Sequence, residues 1–541
     1  LPVGLYRAVM KSSMADLAGN RLTADYTWAF RVADAVFWTR HVDGSWNQPL
    51  NWTSGAIPGA DDHVVIDAFG ADVTVTYAVG TSRIKSLIAN QRVQLTPGIL
   101  QIAEDIQLNQ DLSLDGGSIQ GGTVTQNGGA KLLFTNRSGT LDGVTVNGDL
   151  ALTNAGARLV IRNGLTLNGS VLLDNGAAIG FVGDQTFDTG NVVFAGNSGS
   201  LNVDGTTTLT LGPAMVVRGK SGFIGGSGFP KLINRGLIAT DVAGGALTIA
   251  TREFENAGTI QAKDNNALTI NSPNWSNGGR IEVARGGTLT MGGTWTNRGT
   301  IDVTDATLSL GGRFTLAGLG AIERAGSMVE ITGELDLNGG PLTLDAQTGP
   351  WVLKGGTIKR GTVTQTGGAK LIFTNSRATF DDVRVNGDLE LTGPGTRLLI
   401  LNELALAGTA TVDNGSALGF AGDQIFNTGS VVFAGKSGSP GWLSIEGNTT
   451  LTLGPAMVVR GKTGIIGTGL FQPRATHKLI NQGLISADVA GGALTVSLDQ
   501  FENTGTIAAT AAGSTITIRA NPFLNTGTIQ ELNGVKVLIN P

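Results

Sequence analysis

Cysteine is absent from all 541 residues. That removes disulfides, thiolate metal sites and cysteine nucleophiles together, while leaving the compartment open. Charge is sparse: 15% of residues are Asp, Glu, Lys or Arg, with a formal net charge of −5. No Lys/Arg cluster offsets that balance, so the electrostatic footprint of a nucleic-acid partner is missing. Histidine occurs only as His41, His63 and His477. None has a second ligand at the short spacings that hold zinc, and each reads as a surface residue. There is no apolar run of about 18 residues, so no membrane span is expected. A sustained helical apolar pattern is also missing, and 82 glycines make helix a poor choice throughout.

What is present is repetition. GTVTQNGGAKLLFTNR, from Gly122, returns as GTVTQTGGAKLIFTNS from Gly361, an offset of 239 residues. VNGDLAL (Val146) returns as VNGDLEL (Val385), and LTLGPAMVVRGK starts at both Leu209 and Leu451. KLINRGLIATDVAGGALT (Lys231) returns as KLINQGLISADVAGGALT (Lys478). The offset drifts from 239 to 242 to 247, so two short insertions separate the copies. One lies near Pro440, Gly441 and Trp442, the other between Gly469 and Thr476.

A shorter period runs inside each copy. FENAGTI, WSNGGRI and WTNRGTI begin at Phe254, Trp275 and Trp295; FENTGTI and FLNTGTI begin at Phe501 and Phe523. Their asparagines, Asn256, Asn277, Asn297, Asn503 and Asn525, recur every 20 to 22 residues with Asn234 and Asn481. A second register, GGALTI, NNALTI, GGTLTM and DATLSL, places Leu247, Leu268, Leu289 and Leu308 at spacings of 21, 21 and 19. Period-2 alternation between Gly, Asn and Asp turns reads as short strands. A unit of this size cannot bury its own apolar face, whereas stacking on a copy does so.

The expectation is an all-β chain, a parallel β-solenoid with rungs of about 21 residues. Residues 96 to 541 would give about 21 rungs, or roughly 100 Å at ~4.8 Å per rung. Stacked asparagines should form an amide ladder, and Phe254, Trp275, Trp295, Phe501 and Phe523 an internal aromatic stack. An antiparallel sandwich array is the alternative, but such modules rarely sustain this register.

Residues 5–31 hold the turn DLAGN (Asp16 to Asn20), Leu22 and the strand YTWAF (Tyr26 to Phe30). This resembles the last strands of a bacterial Ig-like domain, which implies that residues 1–34 lack most of their sandwich. Residues 37–67 carry Trp38, Trp46, Asn51, Trp52, Pro58, Gly59, Asp62 and Val64. With the N-x-G-T-I and G-G-x-L-T-x rungs downstream, they resemble bacterial extracellular β-strand-repeat proteins, some adhesin-like. The resemblance implies four parts: the Ig-like tail at 1–34, a Trp-rich cap and entry rungs at 35–95, and repeat blocks at 96–359 and 360–541. It also implies a bacterial surface or extracellular location. The chain opens on Leu1 and closes on LINP, and both ends read as cuts in a longer polypeptide.

Trp38, Trp46 and Trp52 read foremost as a cap core over a solenoid end, whose open strand edges need cover. A carbohydrate-stacking platform is the functional alternative. Asp61 and Asp62 could hold Ca²⁺ with backbone carbonyls, although such an Asp more often closes a turn on backbone N–H groups. No other cofactor is implied.

Catalytic motifs are scarce. There is no G-x-S-x-G elbow, and GKSGFIGGSG (219–228) lacks the Lys-Ser/Thr ending and following helix of a phosphate loop. Calcium-binding nonapeptides are absent. A β-helix polysaccharide lyase or hydrolase would need clustered carboxylates. Asp184 and Asp423 recur in the GDQ string of both copies, but without a second acid at i+2. The reading is therefore non-enzymatic: a structural component of a surface layer, fibre or filament, with an adhesin stalk or a carbohydrate-binding rod as alternatives. Self-association, or continuation into further repeats, is expected, with a polysaccharide or cell surface as a conceivable partner. The best sites for a specific binding insertion are Pro440 to Trp442 and Leu470 to His477.

Overall fold

The computed structural model describes residues 4–32, 34–68, 70–471, 476–532 and 534–540. The chain divides into two compact units, Leu1–Ala239 and Thr240–Pro541. Each is a parallel β-solenoid whose rungs are about 21 residues long. The one antiparallel strand pair among the described residues is the N-terminal hairpin.

The rung is built from three strands. In the second unit these are Ala246–Ile249, Glu253–Asn256 and Thr259–Lys263. Each pairs in register with its homologue one rung on: Leu247 with Leu268, Phe254 with Trp275, Ile260 with Ile281. In parallel register, like side chains sit above like, and the alternation along a strand decides which of them face inward. Leu247, Ile249, Phe254, Asn256, Ile260 and Ala262 are all buried. Their neighbours Thr248, Glu255 and Gln261 are not.

The turns between strands need backbone that bends sharply without a sheet partner. Asn163, Asp382 and Asn402 take positive φ values of 52°, 56° and 53°. Asn and Asp tolerate that region better than other side chains. At these corners two strands run together: Arg158–Asn168 and Arg397–Ala407 each span 11 residues through a bend. A four-residue helix, Leu316–Leu319, is capped by Thr315, whose hydroxyl accepts from the Gly318 N–H at 3.0 Å.

Beyond that helix the two sequence copies exchange faces. GGALT of the first copy forms Ala246–Ile249, in the sheet that also holds Trp351–Leu353. GGALT of the second forms Ala493–Ser497, in the sheet that holds Glu253–Asn256. Homologous strands thus lie on different faces of one solenoid.

The N-terminal strands Gly4–Met10 and Tyr26–Val32 form a two-stranded antiparallel ribbon. Val9, Met10, Tyr26 and Trp28 are exposed, and the Tyr26 and Trp28 rings lie 5.8 Å apart. The side chain of Phe30 lies outside the described residues.

Candidate functional site

Asn256, Asn277, Asn297, Asn481 and Asn503 are buried inside the solenoid, whereas Asn525 is exposed. Asn256 Nδ2 donates to Asn277 Oδ1 at 2.7 Å, and Asn277 Nδ2 to Asn297 Oδ1 at 2.7 Å. Asn297 ends this run by donating to the Leu319 carbonyl at 3.1 Å. In the second copy Asn481 donates to Asn503 and Asn503 to Asn525, both at 2.7 Å. The second amide proton reaches the carbonyl two residues on: Gly258 for Asn256, Gly279 for Asn277, Gly505 for Asn503, Gly527 for Asn525. The glycine at that place has little choice. A Cβ at Gly279 would lie 2.1 Å from the Gly258 carbonyl oxygen, and one at Gly505 2.3 Å from that of Gly483. N-x-G is therefore a single device: an inward amide ladder needs a glycine column beside it.

Two residues before Asn256, Asn277, Asn297, Asn503 and Asn525 stands an aromatic, and two before Asn481 a leucine, Leu479. Phe254 and Trp275 have ring centroids 6.2 Å apart, Trp275 and Trp295 5.9 Å, Phe501 and Phe523 5.1 Å. Phe254, Trp275, Trp295 and Phe501 are buried, and Phe523 is half-buried. The indole N–H groups are spent on the backbone, Trp275 on Gly292 O at 2.8 Å and Trp295 on Gly311 O at 2.9 Å. Phe314 extends the stack, 4.5 Å from Trp295. Sequence reasoning missed it because its rung lacks N-x-G.

Trp38, Trp46 and Trp52 fill the interior of the first rungs. Trp46–Trp52 centroids are 4.8 Å apart and Trp38–Trp52 5.2 Å. Trp46 Nε1 donates to Ser82 Oγ and Trp52 Nε1 to the Trp46 carbonyl. All three are at least 96% buried, so no ring face is open for a sugar to stack on. Asp62 accepts from the Gly59 N–H at 2.7 Å, closing the turn after Pro58. Asp61 and Asp62 are not joined by a third acid or histidine: among the described residues no group of three or more His, Asp or Glu is placed to share a metal ion.

The recurrent acids of the GDQ string are structural staples. Asp184 Oδ1 accepts from the Thr208 N–H and Asp423 Oδ1 from the Thr450 N–H, each at 2.7 Å and each one rung away. Asp149 and Asp388 do the same for Ser170 and Thr409 at 2.8 Å. In each case the carboxylate holds the backbone of the next rung in place.

Two histidines differ from the expectation of surface residues. His477 is 2% exposed, and its Nδ1 lies 2.9 Å from Asp499 Oδ2, which also accepts the His477 backbone N–H at 2.8 Å. Burial pushes the Asp499 carboxyl up, but these bonds outweigh it and hold the group below the usual carboxylate range. His63 is half-buried with Nδ1 2.7 Å from Ser86 Oγ, while His41 is exposed. The sequence gives no cue for the first two, because inward orientation depends on register and not on residue type.

Of the two insertions, Trp442 lies in the strand Gly441–Glu446 and is half-buried. Leu470 and Phe471 fold onto the outside of a sheet; residues 472–475 lie outside the described residues.

No family model matches the chain, and no solved structure matches. A stretch of 263 residues is 26% identical to a protein of Dickeya dadantii (strain 3937) named "Deoxyribonuclease CdiA". The match covers 48% of this chain and 7% of the relative's own length. Among the described residues no helix is long and apolar enough to cross a membrane.

Proposed function

We propose that the chain is a non-enzymatic structural segment of a bacterial extracellular or surface protein, a rigid repeat scaffold. The observation that carries this reading is how polar groups are spent. The ladder asparagines, the Trp275 and Trp295 indole N–H groups and the recurrent aspartates bond to the next rung or to the backbone, leaving little for substrate chemistry. Stacked rungs bind only to their neighbours, so such a segment lengthens by repetition without a new core. The match to a small part of a much longer protein supports a segment that separates other functions. Its printed activity belongs to that relative, and the acids seen here sit in stapling positions.

Self-association is part of the proposal. The N-terminal ribbon exposes Met10, Tyr26 and Trp28, and two strands alone are marginally stable. A strand from a neighbour would complete it, in a head-to-tail contact that propagates when the rotation does not close.

The test has two arms. Purified protein is incubated with duplex DNA and with a panel of acidic polysaccharides. Catalytic breakdown that survives further purification refutes the scaffold reading. Particle size is compared with and without residues 1–34 by light scattering and negative stain. Assembly that depends on the ribbon supports the filament form, and monomers in both samples refute it.

A further inference from the structure

The second copy carries its own plug. Its insertion lays Phe471 on the outer face of the sheet, over Gly419, where a Cβ would lie 2.7 Å from Phe471 Cε2. Arg377 and Arg397 hold the ring, with Cζ 5.0 and 5.7 Å from its centroid. Glu446 accepts the Leu470 N–H at 3.0 Å and the Phe471 N–H at 2.8 Å. The parts of a peptide-binding groove are all there: a glycine floor, guanidinium groups for the ring, and a carboxylate for the backbone N–H groups.

The first copy has the same groove without the plug. Gly180 stands where Gly419 does, Arg158 where Arg397 does, and Asp204 where Glu446 does. The registers agree: Gly180 pairs with Asn202 as Gly419 pairs with Ser444, and each next meets a glycine, Gly225 or Gly467. The connecting loop is five residues shorter, by the drift of the offset from 242 to 247. Its phenylalanine, Phe229, is 65% exposed. Over Gly180 the nearest atoms to a built Cβ are Asp204 Oδ2 at 3.7 Å, Leu159 O at 3.9 Å and Asn202 Cβ at 4.0 Å; none belongs to a ring. The Phe223 ring, 42% exposed, covers the far end of the floor: a Cβ at Gly225 would lie 2.3 Å from Phe223 Cε1, so the open part is the stretch over Gly180.

We infer that the groove of the first copy, floored by Gly180 and flanked by Arg158, Asp204 and Phe223, binds an extended polypeptide segment that presents an aromatic side chain. The second copy displays that ligand in cis. Asp204 Oδ1 accepts from the Ser227 N–H and Oγ of the first copy's own loop, each at 3.2 Å, so Oδ2 is the oxygen that would take a backbone N–H of the ligand, and Arg158 would take its aromatic face. Ser138 replaces Arg377, so one of the two cations is missing and the binding should be the weaker of the two. This inference is independent of whether the chain forms filaments.

The probe is a fluorescein-labelled peptide of the insertion, TGLFQPRATHK, titrated into the intact chain and followed by anisotropy. The expected result is saturable binding of one peptide per chain, weakened at least tenfold when its phenylalanine becomes alanine. Gly180→Val should fill the groove and weaken binding at least tenfold. Gly180 has no positive φ and room for a Cβ, so this variant should keep the wild-type circular dichroism and melting. Gly419→Val, which evicts Phe471 and fills the second groove, should leave binding at one peptide per chain. Absence of saturable binding, or equal binding by Gly180→Val, overturns the inference.

Discussion

Replacing Trp295 by alanine tests the internal stack where it is most continuous. The indole is 2% exposed, with Trp275 on one side at 5.9 Å and Phe314 on the other at 4.5 Å. Truncating a buried Trp costs about 3–5 kcal/mol. Losing its two ring contacts belongs to the upper part of that range, and Gly311 O loses its indole donor. An opening free energy lowered by about 4 kcal/mol raises local opening roughly thousandfold. In a stacked array each rung contacts only its neighbours, so the loss should stay local. Hydrogen exchange read by mass spectrometry should show faster exchange in the strands Asn274–Asn277 and Arg313–Thr315. The strands Leu150–Leu152 and Ser170–Leu173 should not change. Trp295→Phe should recover part of the protection, since a six-membered ring remains in the stack while the pyrrole ring and its N–H bond to Gly311 O are lost. Unchanged exchange in Trp295→Ala would refute the claim that the stack holds these rungs together.

Asn277→Ala removes the acceptor of Asn256 and the donor of Asn297, both buried, and should lower local stability by about 1–3 kcal/mol in the same exchange experiment. Asp184→Ala should free the Thr208 amide and speed its exchange without altering any activity toward DNA or polysaccharide; a lost activity would assign the acid a different role. Because the Asp499 carboxyl is held below its ordinary value, its bonds with His477 stabilise the fold above about pH 3.9 and are lost as pH falls through the lowered value. Asp499→Asn should flatten that acid limb of the melting curve, and an unchanged limb would count against the pairing. The ion pairs Lys263–Glu282 and Arg280–Asp302 lie on an outer face, so 1 M salt should change the melting temperature little.

Much of the fold was legible because the chain prints each rung beside its neighbour. F-x-N-x-G-T-I fixes an inward aromatic, an inward amide and a tight glycine at one register, and three such columns leave little freedom. What escaped reading lies between rungs. Nothing in GDQ says that Asp184 will reach the Thr208 amide 24 residues on. His477 is buried because it occupies an inward place above Thr449, a matter of register. The groove over Gly180 is invisible in one copy alone. It emerges only when Phe471 is seen resting on Gly419.

The exchange of faces between the copies makes the repeat a screw. Within the second unit, GGALT lies in one sheet at Ala246–Ile249 and in another at Ala493–Ser497, 247 residues on. A straight translation would line every copy of a surface feature along one edge, like teeth on a comb. Advancing by a face instead distributes those features in azimuth. An outward determinant borne once per block would then meet partners arriving from any side, and two bound partners on adjacent blocks would point away from one another.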